Sequence, residues 1–165
     1  MRVFPNADVF VFWLSPEIAA KAPKGAQPFF ESAQGIAAPY IKAGKWHTFS
    51  GSESIVDGMR LVPLPGHTPG HTGYEFSSKG KEILFWGDIV HAQRVQLKHP
   101  EVTAVFDIDP TAAAATRSQL LPKLAGEDVL IASPHLLFPG LGRLHKEGKG
   151  YSWAPVALTD QWVEK

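Results

Sequence analysis

The apolar positions of this chain fall into short runs separated by clusters of Gly, Pro, Ser and Asp. Ala7-Asp8-Val9-Phe10-Val11-Phe12 is rich in β-branched and aromatic residues and reads as a strand, entered from the turn residue Asn6. Ser15-Pro16-Glu17 is a helix start, with Ser as N-cap and Pro at the first helical position. The short helix runs over 18–22, and Pro23 ends it. Pro28 opens a second helix with Phe29, Phe30, Ala33, Ala37, Tyr40 and Ile41 on one face. Gly35 and Pro39 weaken it and Gly44 stops it. Residues 46–57 mix strand and loop. Strands follow over 59–64, 73–77 and 82–86, the last two joined by a turn at Ser78-Lys79-Gly80. The run 82–86 is apolar on both faces and reads as a buried strand. Asp109 caps a long helix with Pro110 at its first position, Ala113, Leu120, Leu121 and Leu124 facing inward, and Gly126 at its end. A strand over 129–131 and a closing hairpin of 141–145 with 151–156 complete the pattern, and 157–165 is a tail or short terminal helix. Strands, helix and strand with mostly hairpin connections make a layered α/β or α+β domain.

Composition narrows the function. The 165 residues suit one domain. Lys plus Arg number 16, as do Asp plus Glu, so a formal charge of zero leaves no electrostatic case for nucleic acid or an acidic membrane as partner. The absence of Cys excludes disulfides and thiolate metal sites. No apolar run approaches the ~20 residues of a membrane helix. The first residues lack the parts of a signal peptide, which as written suggests a cytoplasmic location.

The chemistry concentrates in Leu64-Pro65-Gly66-His67-Thr68-Pro69-Gly70-His71-Thr72-Gly73 and in Trp86-Gly87-Asp88. Gly-His-Thr-Pro-Gly is open to a plain reading as a tight turn, and Gly-Asp after a strand to one as a turn or helix cap. A carboxylate just past an apolar strand sits at a sheet rim, where a turn can also hold His67, and imidazole with carboxylate is an ordinary donor set for zinc and similar ions. A third candidate, His135, follows another apolar strand in Ala132-Ser133-Pro134-His135. Asp107 and Asp109 suggest a hard-ion site, but the following Pro110 favours helix capping. Thr68 and Thr72 suit hydrogen bonds to the turn backbone. His47, His99 and His145 lie in no motif and suit a solvated surface.

These features resemble the metallo-β-lactamase-fold hydrolases, in the branch of quorum-quenching lactonases and methyl parathion hydrolase. The resemblance rests on the Gly66-His67-Thr68 turn, Gly87-Asp88-Ile89-Val90-His91, Val95-Gln96, Asp107-Ile108-Asp109-Pro110 and Pro139-Gly140-Leu141-Gly142, in that order over about 4–156. It implies an αββα sandwich, of which this chain supplies one sheet with its helices and part of the other. It also implies a catalytic metal site in which His67 binds one ion, Asp88 bridges two and His135 binds the second, with a metal-bound hydroxide attacking an ester, lactone or phosphotriester. His71 and His91 would then support the ligands through hydrogen bonds. Phe29, Phe30 and Phe138 are candidates for the substrate's apolar wall, core packing being the plainer role for the first two. The superfamily's His-x-His-x-Asp-His signature has no counterpart among the seven histidines. The expectation is therefore a single domain over 1–165 lacking its N-terminal half. Its cofactor would be a divalent metal, zinc first, held at no more than weak single occupancy where a complete relative holds one or two ions. A small ester-like molecule would be its substrate, and a homo-oligomer or a complementary N-terminal half its assembly. Relatives in this branch are often exported. The alternative expectation is a non-catalytic half-domain that associates with itself or with a missing half.

Overall fold

The computed structural model describes residues 3–52 and 54–157. Three helices, α1 (Ala7–Leu14), α2 (Pro16–Lys21) and α3 (Gln27–Lys42), precede a six-stranded sheet. The strands β1 (Met59–Pro63), β2 (Thr72–Ser78), β3 (Lys81–Phe85), β4 (Leu130–Ala132), β5 (Leu141–Glu147) and β6 (Gly150–Pro155) lie side by side in chain order. Every neighbouring pair is antiparallel except β3 with β4, which is parallel. The β2–β3 hairpin closes through Lys79 and Gly80, both at positive φ, the geometry whose twist matches the strands. The parallel pair needs a crossover. It is made by a 3-10 turn (Gly87–Ile89), the short α4 (Gln93–Gln96) and α5 (Pro110–Glu127).

Helix α5 covers one face of the sheet. Its buried residues, Ala113, Arg117, Leu120, Leu121 and Leu124, form a stripe at helical spacing. The three leucines join Leu84, Ile131, Leu144, Trp86 and Trp153 in the main core. Register explains the choice of face, because Leu84 pairs with Ile131 and Ile131 with Gly142, and these rows point toward α5. Their alternates, Tyr74, Phe76 and Phe85, point the other way, with Phe76 and Phe85 41% and 45% exposed. So β3 is buried on one face, not on both as its composition suggested. That second face is covered at β1, where Leu61, in the same row as Tyr74 and Phe85, is fully buried, and it is open around Phe76 and Phe85. Part of a second sheet was expected too, but outside the sheet the described residues form only two isolated parallel bridges, Val3 with Trp46 and Asn6 with Phe49.

The run 7–12, expected as a strand, is the helix α1. The side chain of Asn6 accepts a hydrogen bond from the Asp8 amide at 2.8 Å and caps it, and Ser15 in turn caps α2. Packing against α3 overrides the strand propensity of Val and Phe: Phe30 stacks 4.7 Å from Trp13 and 5.4 Å from Phe12, ring centre to ring centre. Helix α5 continues through Gly126, and Asp128 at positive φ terminates it instead. The tail expected beyond 157 lies outside the described residues. No helix among the described residues is long and apolar enough to cross a membrane.

Leu121 is fully buried at the centre of the core, whereas Val11 on α1 is 61% exposed. Leu121→Ala is expected to cost about 2–5 kcal/mol of stability and Val11→Ala within about 0.5 kcal/mol, read from urea denaturation midpoints.

Candidate metal centre

Strand direction assembles the site. Strands β1 and β3 both run antiparallel to β2, and β4 runs parallel to β3, so β1, β3 and β4 end at the same rim. Phe85 pairs with Ala132. Asp88 and His135 each lie three residues further on (85 to 88, 132 to 135), and the chain after β1 turns through His67. The two oxygens of Asp88 address two different imidazoles. Oδ1 lies 2.8 Å from Nε2 of His135, and Oδ2 lies 3.6 Å from Nε2 of His67. All three side chains keep partial exposure, at 37% for Asp88, 20% for His67 and 41% for His135.

His71 sets the backbone beneath Asp88. Its Nδ1–H donates to the Leu64 carbonyl at 3.0 Å, and its Nε2 accepts from the Asp88 amide at 2.9 Å. One neutral tautomer satisfies both bonds. Burial lowers its pKa, offset in part by the Leu64 carbonyl and the charge of Asp88. Gly87 is required at this approach, being at positive φ with His71 Nε2 only 2.6 Å from where a Cβ would stand. Gly66 does the same on the other side of the turn, where a Cβ would fall 2.2 Å from the Ala113 backbone nitrogen. The turn is therefore seated on the first turn of α5. The Asp109 and Ile108 amides donate to the carbonyls of Gly66 and His67. The Thr72 hydroxyl donates to the Gly70 carbonyl, and Thr68 contributes its backbone carbonyl to the Gly66 and His71 amides.

Asp107 departs from expectation. Asp109 caps α5 by accepting from the Ala112 amide, but the side chain of Asp107 turns inward and is fully buried. It accepts from His67 Nδ1–H at 3.1 Å and from the Ala104 amide at 2.9 Å. Behind it lies Arg117, whose guanidinium donates to the carbonyls of Pro100, Ile89 and Val102 and stands 3.9 Å from Asp107. Burial lowers the Arg117 pKa and Asp107 opposes that shift. Sequence reasoning missed Arg117, although its position was a signal, since a lone cation interrupts the apolar stripe from Ala113 to Leu124. Gln96, also buried, explains the Val95-Gln96 match. Its Oε1 accepts from the amides of His91 and Ala92 and its Nε2 donates to the Val102 carbonyl.

His91 lies between the other rings, 4.6 Å from His135, 4.9 Å from His67 and 4.8 Å from Phe106, centre to centre. Burial lowers its pKa, reinforced by His67 and His135. Two groups of possible ligands share it: Asp88, His91 and His135, and His67, His91 and Asp107, each with donor atoms within 4.8 Å of one another. Among the described residues, His67, Asp88 and His135 do not by themselves form such a group. Beside His135 a groove of about 490 Å³ is lined by Gln93, Val95, Leu136, Leu137 and Phe138, among others. Phe30 instead packs between α1 and α3, and Phe29 is exposed on α3. His47, His99 and His145 are exposed and outside the site.

The family model described as the metallo-beta-lactamase superfamily matches residues 3–135. The chain is 29% identical over 119 residues to a hydroxyacylglutathione hydrolase, GloC, of Haemophilus influenzae, covering 68% of this chain and 52% of that protein. Among solved structures, a hydrolase of the beta lactamase superfamily, AbOPH, superposes with a TM-score of 0.85 and 36% identity over 96% of this chain and 56% of its own. AidC, a dizinc quorum-quenching lactonase, superposes with a TM-score of 0.83 and 24% identity over 95% of this chain and 55% of its own, a likeness of fold. The chain thus spans about half the length of the relatives it matches.

The lowered pKa values of His71 and His91 carry a pH dependence. The folded chain takes up these protons at lower pH than the unfolded chain, whose histidines titrate near 6.5. The stability linked to them is fully present above pH 6.5 and declines as pH falls below it. Urea midpoints of the metal-free chain are expected to drop between pH 7.5 and pH 5.5. In His71→Asn the drop should be smaller and the stability at pH 7.5 lower.

Proposed function

The chain belongs to the metallo-beta-lactamase superfamily, and from that premise we propose that it carries half of the metal site of a hydrolase acting on an ester, lactone or phosphotriester. The observation that carries this reading is the division of Asp88, one oxygen toward His67 and the other toward His135. A carboxylate so divided is suited to join two ions. The donors fit zinc, being imidazole nitrogen and carboxylate oxygen with no thiolate, in keeping with the dizinc description of AidC. His91, whose buried Nδ1 has no hydrogen-bond partner among the described residues, stands among these donors.

In this reading His67, Asp88 and His135 hold the metal, Asp107 orients His67, and His71 fixes the Asp88 backbone. A bound ion would acidify a water and polarise the carbonyl or phosphoryl oxygen of the substrate. The groove beside His135, with Phe138 at its mouth and a volume in the range of small-molecule sites, would take the acyl or aryl group. The remaining ligands would come from a segment bearing His-x-His-x-Asp-His, on the same or another polypeptide. Metal content by mass spectrometry and turnover of a lactone and an aryl ester test this. Asp88→Ala is expected to abolish metal binding, and His71→Ala to weaken it roughly 10–100-fold. Turnover should be slight in the 165-residue chain and appear when a half bearing that signature is supplied. Undiminished metal content in Asp88→Ala would refute the assignment.

Association follows from the exposed part of the second sheet face, around Phe76 and Phe85. Phe76 and Phe85, in contact at 5.7 Å, lie exposed beside Tyr74 on a face of the kind that seeks a partner. We take that partner to be a second copy or the complementary half. Light scattering is expected to give more than one copy per particle when the chain is alone. A monomer at high concentration would argue against self-association.

A further inference from the structure

We infer that His91 is itself a metal ligand, completing with Asp88 and His135 a one-ion site drawn from this chain alone. This rests on the metal-binding reading above and changes its ligand set, because His67 is left outside the ion's immediate circle.

His91 is set apart from the other rim histidines by a buried, unpaired ring nitrogen. Its Nδ1 is buried without a hydrogen-bond partner among the described residues. Every other histidine of the rim is engaged: His71 to Leu64 and Asp88, His67 to Asp107, and His135 to Asp88. Of these four, His91 is the one with a buried ring nitrogen that has no partner among the described residues.

Its placement is nonetheless firmly determined. Gln96 holds the His91 amide at 2.7 Å, and Arg117 holds the carbonyl of Ile89 just before it. The ring lies between those of His67 and His135. Donor atoms of Asp88, His91 and His135 fall within 4.8 Å of one another, a separation one ion at the centre can span. Three protein ligands with a position left open is the arrangement of a catalytic zinc site. His67 belongs to no such group with Asp88 and His135.

The test is Zn²⁺ titration of the full chain by calorimetry, with imidazole ¹⁵N shifts recorded on the unsubstituted protein. Wild type should bind one ion per chain, and a ring nitrogen of His91 should shift as those of ligating histidines do. His91→Ala and His135→Ala should each weaken binding more than 100-fold, beyond the ~10–100-fold of an indirect contact. His67→Ala should weaken it less than 10-fold. The wild-type shifts stand even where a variant fails to fold. No binding by wild type would overturn both this inference and the metal reading. Binding lost in Asp88→Ala and His135→Ala but kept in His91→Ala, with His91 unshifted, would overturn this inference alone. A His67→Ala loss equal to that of His91→Ala would also overturn it, by moving the ion to the other group.

Discussion

Strands β3 and β4 run side by side in the same direction, and such a pair cannot be joined by a tight turn. The chain must leave the sheet at the end of β3, cross one face and return at the far end to start β4. That crossing supplies both the cover of the core and most of the site. Asp88, His91, Gln96 and Asp107 lie on its way out, and α5, with Arg117, forms its way back. Because the two strands end at one rim in register, Asp88 and His135 meet without any special loop. Packing and site geometry are consequences of the same pairing.

The segment from 97 to 109 has little regular structure, and the carbonyls of Pro100 and Val102 within it belong to no strand. Arg117 stands in for a sheet ladder. One guanidinium reaches the carbonyls of Ile89, Pro100 and Val102 and stands beside Asp107. Burying that charge is costly, and a well-packed apolar side chain at the same place would often serve stability as well or better. What an apolar residue cannot do is hold three separate carbonyls and keep a buried carboxylate aimed at His67. The charge buys placement of the rim.

Much of this was legible in the order of residues, and the failures have identifiable causes. The strands over 59–64, 73–77 and 82–86, the hairpin at Lys79-Gly80, the Ser15 and Asp109 caps and the closing hairpin follow from local turn and capping chemistry, and the structure has them. Residues 7–12 misled because Val and Phe favour strands in general, while the Asn6 cap and the aromatic contacts with α3 decide the matter here. Strand 82–86 misled because an apolar residue on each face does not require a cover on each face. Asp107 was read with Asp109 as capping; only the fold separates them, putting one at the helix start and the other beneath His67, 40 positions away in sequence. His91 carried a motif match but no sign of its unpaired nitrogen, since that depends on what the folded chain fails to bring near it.

The protonation pattern at the rim gives the last step. His67 donates from Nδ1 to Asp107, which leaves its Nε2 to face Asp88 Oδ2 at 3.6 Å with a lone pair. His71 donates from Nδ1 to Leu64 and spends its Nε2 on the Asp88 amide. His91 stands between the rings of His67 and His135 with its Nδ1 unpaired among the described residues. His135 donates from Nε2 to Asp88 Oδ1 at 2.8 Å, and among the ion pairs of the described residues no Lys or Arg contacts Asp88 to offset the His67 lone pair on its other oxygen. The rigid elements around the rim, α5 with its buried Arg117 and the seated His67 turn, prevent these groups from rotating apart. At such a rigid rim, the lone pair of His67 Nε2 facing the Asp88 carboxylate is a repulsion that a proton or a bound metal cation relieves.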